Sequence, residues 1–433
     1  MTSADIDVAP PRDHARRSKS PRLWARTRPY RHPFILVWMG FLMAFPYYLF
    51  PKGSPQVHDF VILLLMIVVM TRRKLVIDPA VRKTATTLGY FVFYVTLVNV
   101  VWTVVLLGEP LQSKTGSLMF PLYYIFNFLL FSFFGTMFAR FGRVMLKATT
   151  YACFFSVALL CVASLPVMQL GVRNSLYFEN PNQLGYYTLL YSCIFAVGLR
   201  ATKIWLPIQI LHFMLTLFLC GASLSKAAMA STLVLMIMTL VRRPAVLIGL
   251  MIAFAFVFAA SEADDILEES IEHRVATAGS GDDSAEGRGY DRIWIHPEYM
   301  MLGAGEGEYW RFNSFIRGEI HSSLGTIIFC YGIPGMLAFL YFLLTWAKRA
   351  GFENGMLLLP LAMYSVTHMG LRFTPFWTLL ALSLCVQVQV KRDRTAERLR
   401  ITPDELERLL GLARRQRSRL RALLAAYSAR GAG

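Results

Sequence analysis

Charged residues are scarce in this chain, at 16% of its 433 residues, whereas hydrophobic residues make up 55%. So few charges exclude an ordinary soluble domain of this size, because such domains carry about 25% charged residues. Apolar stretches about as long as a ~20-residue membrane-crossing helix recur along most of the sequence. The composition therefore predicts an all-α polytopic integral membrane protein, since helices satisfy their own backbone groups in lipid.

Several familiar chemical motifs are also missing. The six cysteines fall within apolar stretches without close pairing, so we expect neither a disulfide nor a metal site from them. The sequence has no Gly-rich phosphate-binding loop, no Asp-x-Asp pair on an inner loop and no His-Glu-x-x-His run. Nucleotide-driven chemistry on the cytoplasmic side thus has no support, and we expect neither a cofactor nor a metal.

Apolar segments long enough, or nearly long enough, to cross a bilayer occur twelve times by our count. We predict transmembrane helices at residues 34–50, 57–71, 85–107, 117–138, 148–170, 184–199, 205–222, 227–241, 245–260, 324–346, 355–369 and 376–390. Lys and Arg near span ends are retained in the cytoplasm. With twelve crossings the basic clusters of alternate loops share one side, which places both termini in the cytoplasm.

These spans divide the chain into five parts. Residues 1–33 form a basic cytoplasmic tail, predicted to be disordered on anionic lipid. Residues 34–260 hold transmembrane helices 1–9, residues 261–323 form a large periplasmic loop, and residues 324–390 hold helices 10–12. In the basic cytoplasmic segment 391–433, Thr402 and Glu405 have the pattern of a capped helix start, and an apolar stripe follows. We predict an amphipathic helix on the membrane surface, with a partner-binding coiled coil as the alternative.

The net charge of +17 lies mostly in the two tails and the inner loops, which indicates membrane topology and not nucleic-acid binding. On the predicted outer face basic residues are scarce, so each one needs an explanation. They are Arg173, Lys226, Arg274, Arg288, Arg292, Arg311, Arg317 and Arg372. A guanidinium offers paired donors to phosphate oxygens, although pairing with one of the many loop carboxylates is the commoner role for any single Arg.

One motif stands where the polar loop re-enters an apolar segment. His321-Ser322 is followed after nine residues by Gly332-Ile333-Pro334-Gly335. This pattern resembles the His-[Asn/Ser/Gln]-x9-Gly-x-x-[Gly/Thr/Tyr] signature of the O-antigen ligase and O-antigen polymerase family. Further stretches resemble the same family in order: residues 178–185 (Phe-Glu-Asn-Pro-Asn-Gln-Leu-Gly), 223–228 (Ser-Leu-Ser-Lys-Ala-Ala) and 302–307 (Leu-Gly-Ala-Gly-Glu-Gly). Lys226 stands where those relatives usually have Arg.

The resemblance implies transfer of a glycan from undecaprenyl diphosphate to an acceptor, on the outer face of the bacterial inner membrane. Outside the cytoplasm no nucleotide sugar is present, so the leaving group must arrive activated on a lipid. The implied partners are undecaprenyl-diphosphate-linked oligosaccharide, membrane lipid, and a chain-length regulator and flippase of the same export pathway. The enzyme would be a metal-independent glycosyltransferase, and we favour a polymerase of exopolysaccharide or O-antigen repeat units.

Particular residues fit this chemistry. The departing diphosphate develops negative charge, for which Arg288, Arg292 and Lys226 are the candidate cations. The acceptor hydroxyl loses a proton as it attacks the anomeric carbon, and His321 is the candidate base. The residues that we assign to binding of sugar or carrier head group are Asn180, Asn182, Arg311 and Gly305.

Other roles stay open at the same positions. His321 has the alternative of a helix cap or loop hydrogen bond, and Asn-Pro-Asn at 180–182 that of an ordinary capping turn. Gly332 and Gly335 are predicted to permit close helix packing. Ligation to lipid A core or protein is the alternative reaction, which spacing does not separate from polymerisation. A lipid-linked oligosaccharide transporter and a scaffolding subunit are the rivals from other classes.

Overall fold

The structure is a computed structural model that describes residues 32–50, 54–71, 77–106, 118–169, 172–241, 243–259, 284–316 and 318–399, with a few positions between 402 and 416. Secondary structure in these residues is helical, which agrees with the predicted all-α class. The basic tail up to residue 31, loop residues 260–283 with Arg274, Arg317, and most of the C-terminal segment lie outside the described residues.

Fourteen α-helices occur in the described part of the chain. In order they are α1 (Pro33–Ala44), α2 (Val57–Met70), α3 (Pro79–Val105), α4 (Met119–Phe141), α5 (Arg143–Ser164), α6 (Pro181–Leu199), α7 (Leu206–Ser223), α8 (Lys226–Leu240), α9 (Pro244–Ala259), α10 (Asp291–Ile295), α11 (Ser323–Ala350), α12 (Phe352–Gly355), α13 (Leu358–Thr367) and α14 (Thr374–Arg398). Two short 3₁₀ helices, Pro297–Met300 and Tyr309–Arg311, lie in the loop between α10 and α11.

Each predicted span overlaps one of these helices. By length and composition, five described helices could cross a membrane, namely α3, α4, α5, α7 and α11. By contrast α1 has 12 residues and α13 has 10, so they extend only about 18 Å and 15 Å against a hydrocarbon core of ~30 Å. The helices are those of a membrane protein, and the number of crossings stays a prediction.

Two helices, α6 and α14, form the centre of the bundle. All residues from 184 to 198 in α6 and from 374 to 386 in α14 are buried. A helix that is apolar on all sides is stable only when neighbours surround it. Helix α6 contacts α5, α7, α8 and α14, and α14 also contacts α4.

Outer helices have the opposite distribution of apolar side chains. Leu64 of α2, Phe93 of α3 and Val162 of α5 are 64%, 70% and 65% exposed. A soluble protein rarely presents so much contiguous apolar surface to water, whereas lipid tails solvate it well. The surface therefore supports the membrane assignment independently of helix length.

Short polar side chains fix where several helices begin. Asp78 accepts a hydrogen bond from the Ala80 N–H at 3.1 Å, ahead of Pro79 at the first position of α3. In the C-terminal segment, Thr402 and Glu405 form the predicted reciprocal cap: the Glu405 N–H donates to Thr402 Oγ1 at 3.2 Å, and the Thr402 N–H donates to the Glu405 carboxylate at 2.8 Å.

Helix α14 runs eight residues beyond the span predicted at 376–390 and ends at Arg398. Hydropathy marks the end of an apolar run, but this helix continues because its charged turns have partners on neighbouring helices. Asp393 pairs with Arg143, and Arg392 Nη2 lies 3.1 Å from Asp78 Oδ2. Ion pairs therefore extend this helix beyond its apolar part.

The signature glycines occupy different environments in α11. Gly332 interrupts the helix with φ +61° and ψ −168°. A Cβ there would lie 2.7 Å from the backbone nitrogen of Gly303 and 2.8 Å from the carbonyl oxygen of Met300. A Cβ at Gly335 would lie closest to the Cβ of Tyr331 in the same helix and 3.4 Å from the Tyr94 ring of α3. Gly335 thus lies at a helix–helix contact as predicted, whereas Gly332 admits the loop backbone.

We expect Gly332→Ala to lower the free energy of unfolding by about 2–5 kcal/mol, because the new methyl group meets backbone atoms at a positive φ. Thermal unfolding in detergent would measure the change. Gly249→Ala is the matched control, since no atom of the described residues lies within 4 Å of a Cβ on that helical glycine. Equal midpoints for the two variants would contradict the packing described for Gly332.

Candidate functional site

A cavity of about 1280 Å³ lies at one end of the bundle. Six helices begin beside it, and they overlap every second predicted span: α2, α4, α6, α8, α11 and α14. Each helix start carries partial positive charge from its unpaired backbone N–H groups. These N–H groups are available to an anion in the cavity, although α1 and α13 end beside it with carbonyl groups of the opposite partial charge.

Polar and apolar residues line different parts of the cavity. Among the described residues, its acidic, basic and histidine lining residues are His58, Asp59, Arg173, Glu179, Lys226, Arg288, Glu319, His321, His368 and Arg372. Helices α2 and α4 contribute an apolar wall that consists of Phe60, Leu63, Leu122, Ile125, Phe126 and Leu129. Phe60 and Leu122 are also more than half exposed, so this wall continues to the outer surface of the bundle.

His321 lies on the cavity wall immediately before α11. Its backbone N–H donates to the carbonyl oxygen of Arg288 at 3.0 Å. Next to it, Ser322 caps the helix, because its Oγ accepts the Gly325 N–H at 3.1 Å. The Tyr290 hydroxyl lies 2.6 Å from the same Oγ. The Ser that follows His in the signature therefore fixes the backbone that presents the imidazole.

Arg288 also lines the cavity, and its Nη1 donates to the carbonyl oxygen of Thr367 at 2.7 Å. Lys226 lines the cavity at the first residue of α8. A cation at the positive end of a helix is electrostatically unfavourable by itself. The charge of Lys226 therefore adds to the partial positive charge of the α8 N-terminus at the cavity.

The Asn-Pro-Asn segment both caps α6 and lines the cavity. Asn180 Oδ1 accepts the Gln183 N–H at 2.9 Å, which is the predicted capping turn. Asn182 Oδ1 accepts a hydrogen bond from Arg173 Nη2, and its backbone carbonyl accepts one from the Tyr364 hydroxyl at 2.9 Å. The capping geometry is therefore present, and both side chains also lie where a ligand in the cavity would contact them.

Arg292 is not a lining residue of the cavity. Its side chain is fully buried and donates to Ser314 Oγ at 2.9 Å and to the carbonyl oxygens of Ile316 and Gly318 at 2.6 Å and 2.5 Å. It therefore holds the segment that leads to Glu319 and His321.

Arg311 and Gly305 also lie away from the cavity lining. Arg311 donates to the carbonyl oxygen of Ala304 and lies over the Trp102 ring, 4.4 Å from its centre. Gly305 has φ +72°, and its N–H donates to the Cys330 carbonyl at 2.8 Å. Both residues fasten the loop to α3 and α11.

The structure thus brings together five of the eight predicted site residues: His321, Arg288, Lys226, Asn180 and Asn182. It adds Arg173 and Arg372, which sequence marked only as outer cations, and also Glu319 and His368. The His368 ring stacks on Tyr364 with centroids 4.5 Å apart, and its carbonyl accepts the Ser323 N–H at 3.1 Å. The sequence signal for Arg173 and Arg372 was the scarcity of cations on the predicted outer face. No sequence signal marked His368.

No family model matches this chain, and no curated protein sequence matches it. Fold and cavity define a class, which is a helical protein suited to a membrane. Its distinguishing feature is a cavity that is basic and polar on one side and apolar on the other.

We expect Arg292→Ala to lower the free energy of unfolding by about 3 kcal/mol or more, because a fully buried side chain is truncated and three acceptors lose a charged donor. Chemical or thermal unfolding in detergent would measure this. Arg140→Ala is the control, since that exposed Arg contacts the Phe34 and Phe141 rings at the far end of α4. Its expected cost is within ~1 kcal/mol. An unchanged stability for Arg292→Ala would argue against the anchoring role.

Proposed function

We propose that this chain is a glycosyltransferase that polymerises exopolysaccharide or O-antigen repeat units. It would transfer a glycan from undecaprenyl diphosphate to a carrier-linked acceptor on the periplasmic face of the bacterial inner membrane. The observation that carries the proposal is the single cavity in which His321, Arg288 and Lys226 lie together beside an apolar wall. That combination suits a ligand with an anionic head and a hydrocarbon tail.

In the proposed reaction an acceptor hydroxyl attacks the anomeric carbon of the donor glycan. The new glycosidic bond forms as the bond to the diphosphate oxygen breaks, and the electron pair leaves with undecaprenyl diphosphate. His321 takes the hydroxyl proton, a contribution of about 10²- to 10⁴-fold in rate. Arg288 and Lys226 oppose the charge that develops on the leaving diphosphate. No metal is required for any of these steps.

The apolar wall of α2 and α4 supports a lipid-linked donor. Phe60 and Leu122 belong both to the cavity lining and to the exposed surface of the bundle. A polyprenyl tail lying along this wall would stay in contact with membrane lipid. A soluble sugar donor has no hydrocarbon tail that could contact it. The same feature argues against a scaffold, which needs no cavity of this kind.

We expect purified protein in lipid to build carrier-linked ladders from undecaprenyl-diphosphate oligosaccharide alone, and His321→Ala to slow ladder growth by about 10²-fold or more. His296→Ala is the matched control, because His296 lies in the same loop outside the cavity lining and 3.3 Å from Glu298.

Donor consumption only after addition of a lipid A core acceptor would identify a ligase. Absence of turnover with either acceptor would contradict both the polymerase and the ligase reaction, and it would favour transport or scaffolding. Equal loss of activity in both histidine variants would contradict the specific role of His321.

We also propose twelve crossings with both termini in the cytoplasm. Alternate helices beginning at one cavity support opposite directions for successive spans. Alkaline phosphatase fused after Ser284 should be active, since that position would be periplasmic, whereas the same fusion after Leu399 should be inactive. Green fluorescent protein should give the reverse result. A cytoplasmic Ser284 would overturn the topology and with it the periplasmic reaction.

A further inference from the structure

Arg372 lies between the cavity and buried residues of the bundle. It lies in the turn between α13 and α14 and lines the cavity. Its Nη2 pairs with Glu319, and its Nε lies 3.8 Å from Glu306 Oε2. The guanidinium also lies over the Phe120 ring, 5.1 Å from its centre. One cation of the cavity is therefore held between two carboxylates of the same loop.

Glu306 is the fixed member of this group. It is 1% exposed and is not a lining residue of the cavity. Its Oε1 accepts hydrogen bonds from the Tyr124 and Tyr331 hydroxyls at 2.7 Å and 2.5 Å, and its backbone N–H donates to Asn99 Oδ1 at 2.9 Å. Helices α4, α11 and α3 thus each hold Glu306 by one contact.

Its second carboxylate oxygen makes no hydrogen bond to any residue that the structure describes, and it faces the charge of Arg372. Burial raises the pKa of Glu306 and outweighs Arg372 and the two tyrosine hydroxyls, which lower it. A buried carboxylate with one oxygen left to a nearby cation is costly unless that cation stays in place. Glu306 is therefore suited to orient Arg372.

Glu319 is the accessible member. Its side chain is 37% exposed, against 1% for Glu306, and it lines the cavity two residues before His321. Ion pairs in contact with water are weak because both charges remain partly hydrated. An anion that enters the cavity could therefore replace Glu319 on Arg372 with little loss, whereas Glu306 is out of its reach.

We propose that Arg372 binds a phosphate group of the cavity ligand, that Glu306 positions Arg372, and that Glu319 is the counter-ion that the phosphate displaces. The identity of the ligand as a lipid diphosphate rests on the proposed function. A phosphate suits the site because a guanidinium forks onto two phosphate oxygens as it does onto a carboxylate. Arg173, Arg288 and Lys226 line the same cavity and favour a multiply charged anion over a single carboxylate.

The test uses the full chain in detergent and measures dissociation constants for farnesyl diphosphate, inorganic diphosphate and farnesol. We expect Arg372→Gln to weaken farnesyl diphosphate binding about tenfold or more and to leave farnesol unchanged. Glu319→Gln should tighten diphosphate binding several-fold, because a competing carboxylate is gone. Misfolding cannot produce that gain. Arg140→Gln, at the far end of α4, should change neither constant.

Glu306 needs a readout that distinguishes positioning from folding. Glu306→Gln should weaken diphosphate binding but not farnesol binding, and Glu306→Asp should recover part of the affinity. Equal losses for diphosphate and farnesol would assign Glu306 to stability alone and overturn that part of the proposal. Unchanged diphosphate binding in Arg372→Gln, or weaker binding in Glu319→Gln, would overturn the rest.

Two further comparisons separate the possible outcomes. Inorganic diphosphate that binds as tightly as farnesyl diphosphate would assign the phosphate site to a free anion, whereas much tighter farnesyl diphosphate binding would assign it to a lipid head group. Either result supports Arg372 as the phosphate contact when the diphosphate affinity falls in Arg372→Gln. Diphosphate binding that depends on Arg372 without any glycan transfer would keep this inference and reject the proposed function. Glycan transfer that is unchanged in Arg372→Gln would reject this inference and keep the proposed function.

Discussion

Six helices begin around one cavity. The rest of the structure depends on this common position of their N-termini. Successive helices of a bundle with short connections run in opposite directions, so every second helix start falls at the same end. Each start exposes N–H groups that have no partner within the helix. Side chains such as Asn180 and Ser322 satisfy some of them, and the N–H groups that remain are available to an anion that enters the cavity.

The loop before α11 is held to the bundle by contacts of glycines in the loop and in α11 and by the buried Arg292. Gly332 admits the backbone of Gly303, the N–H of Gly305 reaches the Cys330 carbonyl, and Arg292 fastens the segment before Glu319. These contacts connect the two halves of the signature physically: the glycine that breaks the helix receives the loop that carries the histidine. The spacing in the sequence is thus the spacing from a helix cap to a helix break, about three turns of α11.

The sequence predicted the helices well and their ends less well. Apolar runs identified the position of each main helix because burial or lipid contact requires them, but α14 continues to Arg398 through ion pairs that hydropathy does not register. Motif spacing located His321 and Lys226. It did not separate Arg288, which lines the cavity, from Arg292, which is buried behind it, since the two lie four residues apart in one loop. Only the fold decides which of them meets solvent.

The sequence marked Arg372 only as a scarce outer cation and could not show its ion pairs, since its partners Glu306 and Glu319 lie more than fifty residues away. Its surroundings also explain how a cavity with such potential is stable when empty. Of the described residues, four Lys or Arg and three Asp or Glu line it, so these charges nearly balance before any ligand arrives. A cavity lined by cations alone would repel itself and destabilise the fold. Partial neutralisation by accessible carboxylates avoids this cost. The cations can still bind an anion that interacts with them more strongly than a hydrated carboxylate does.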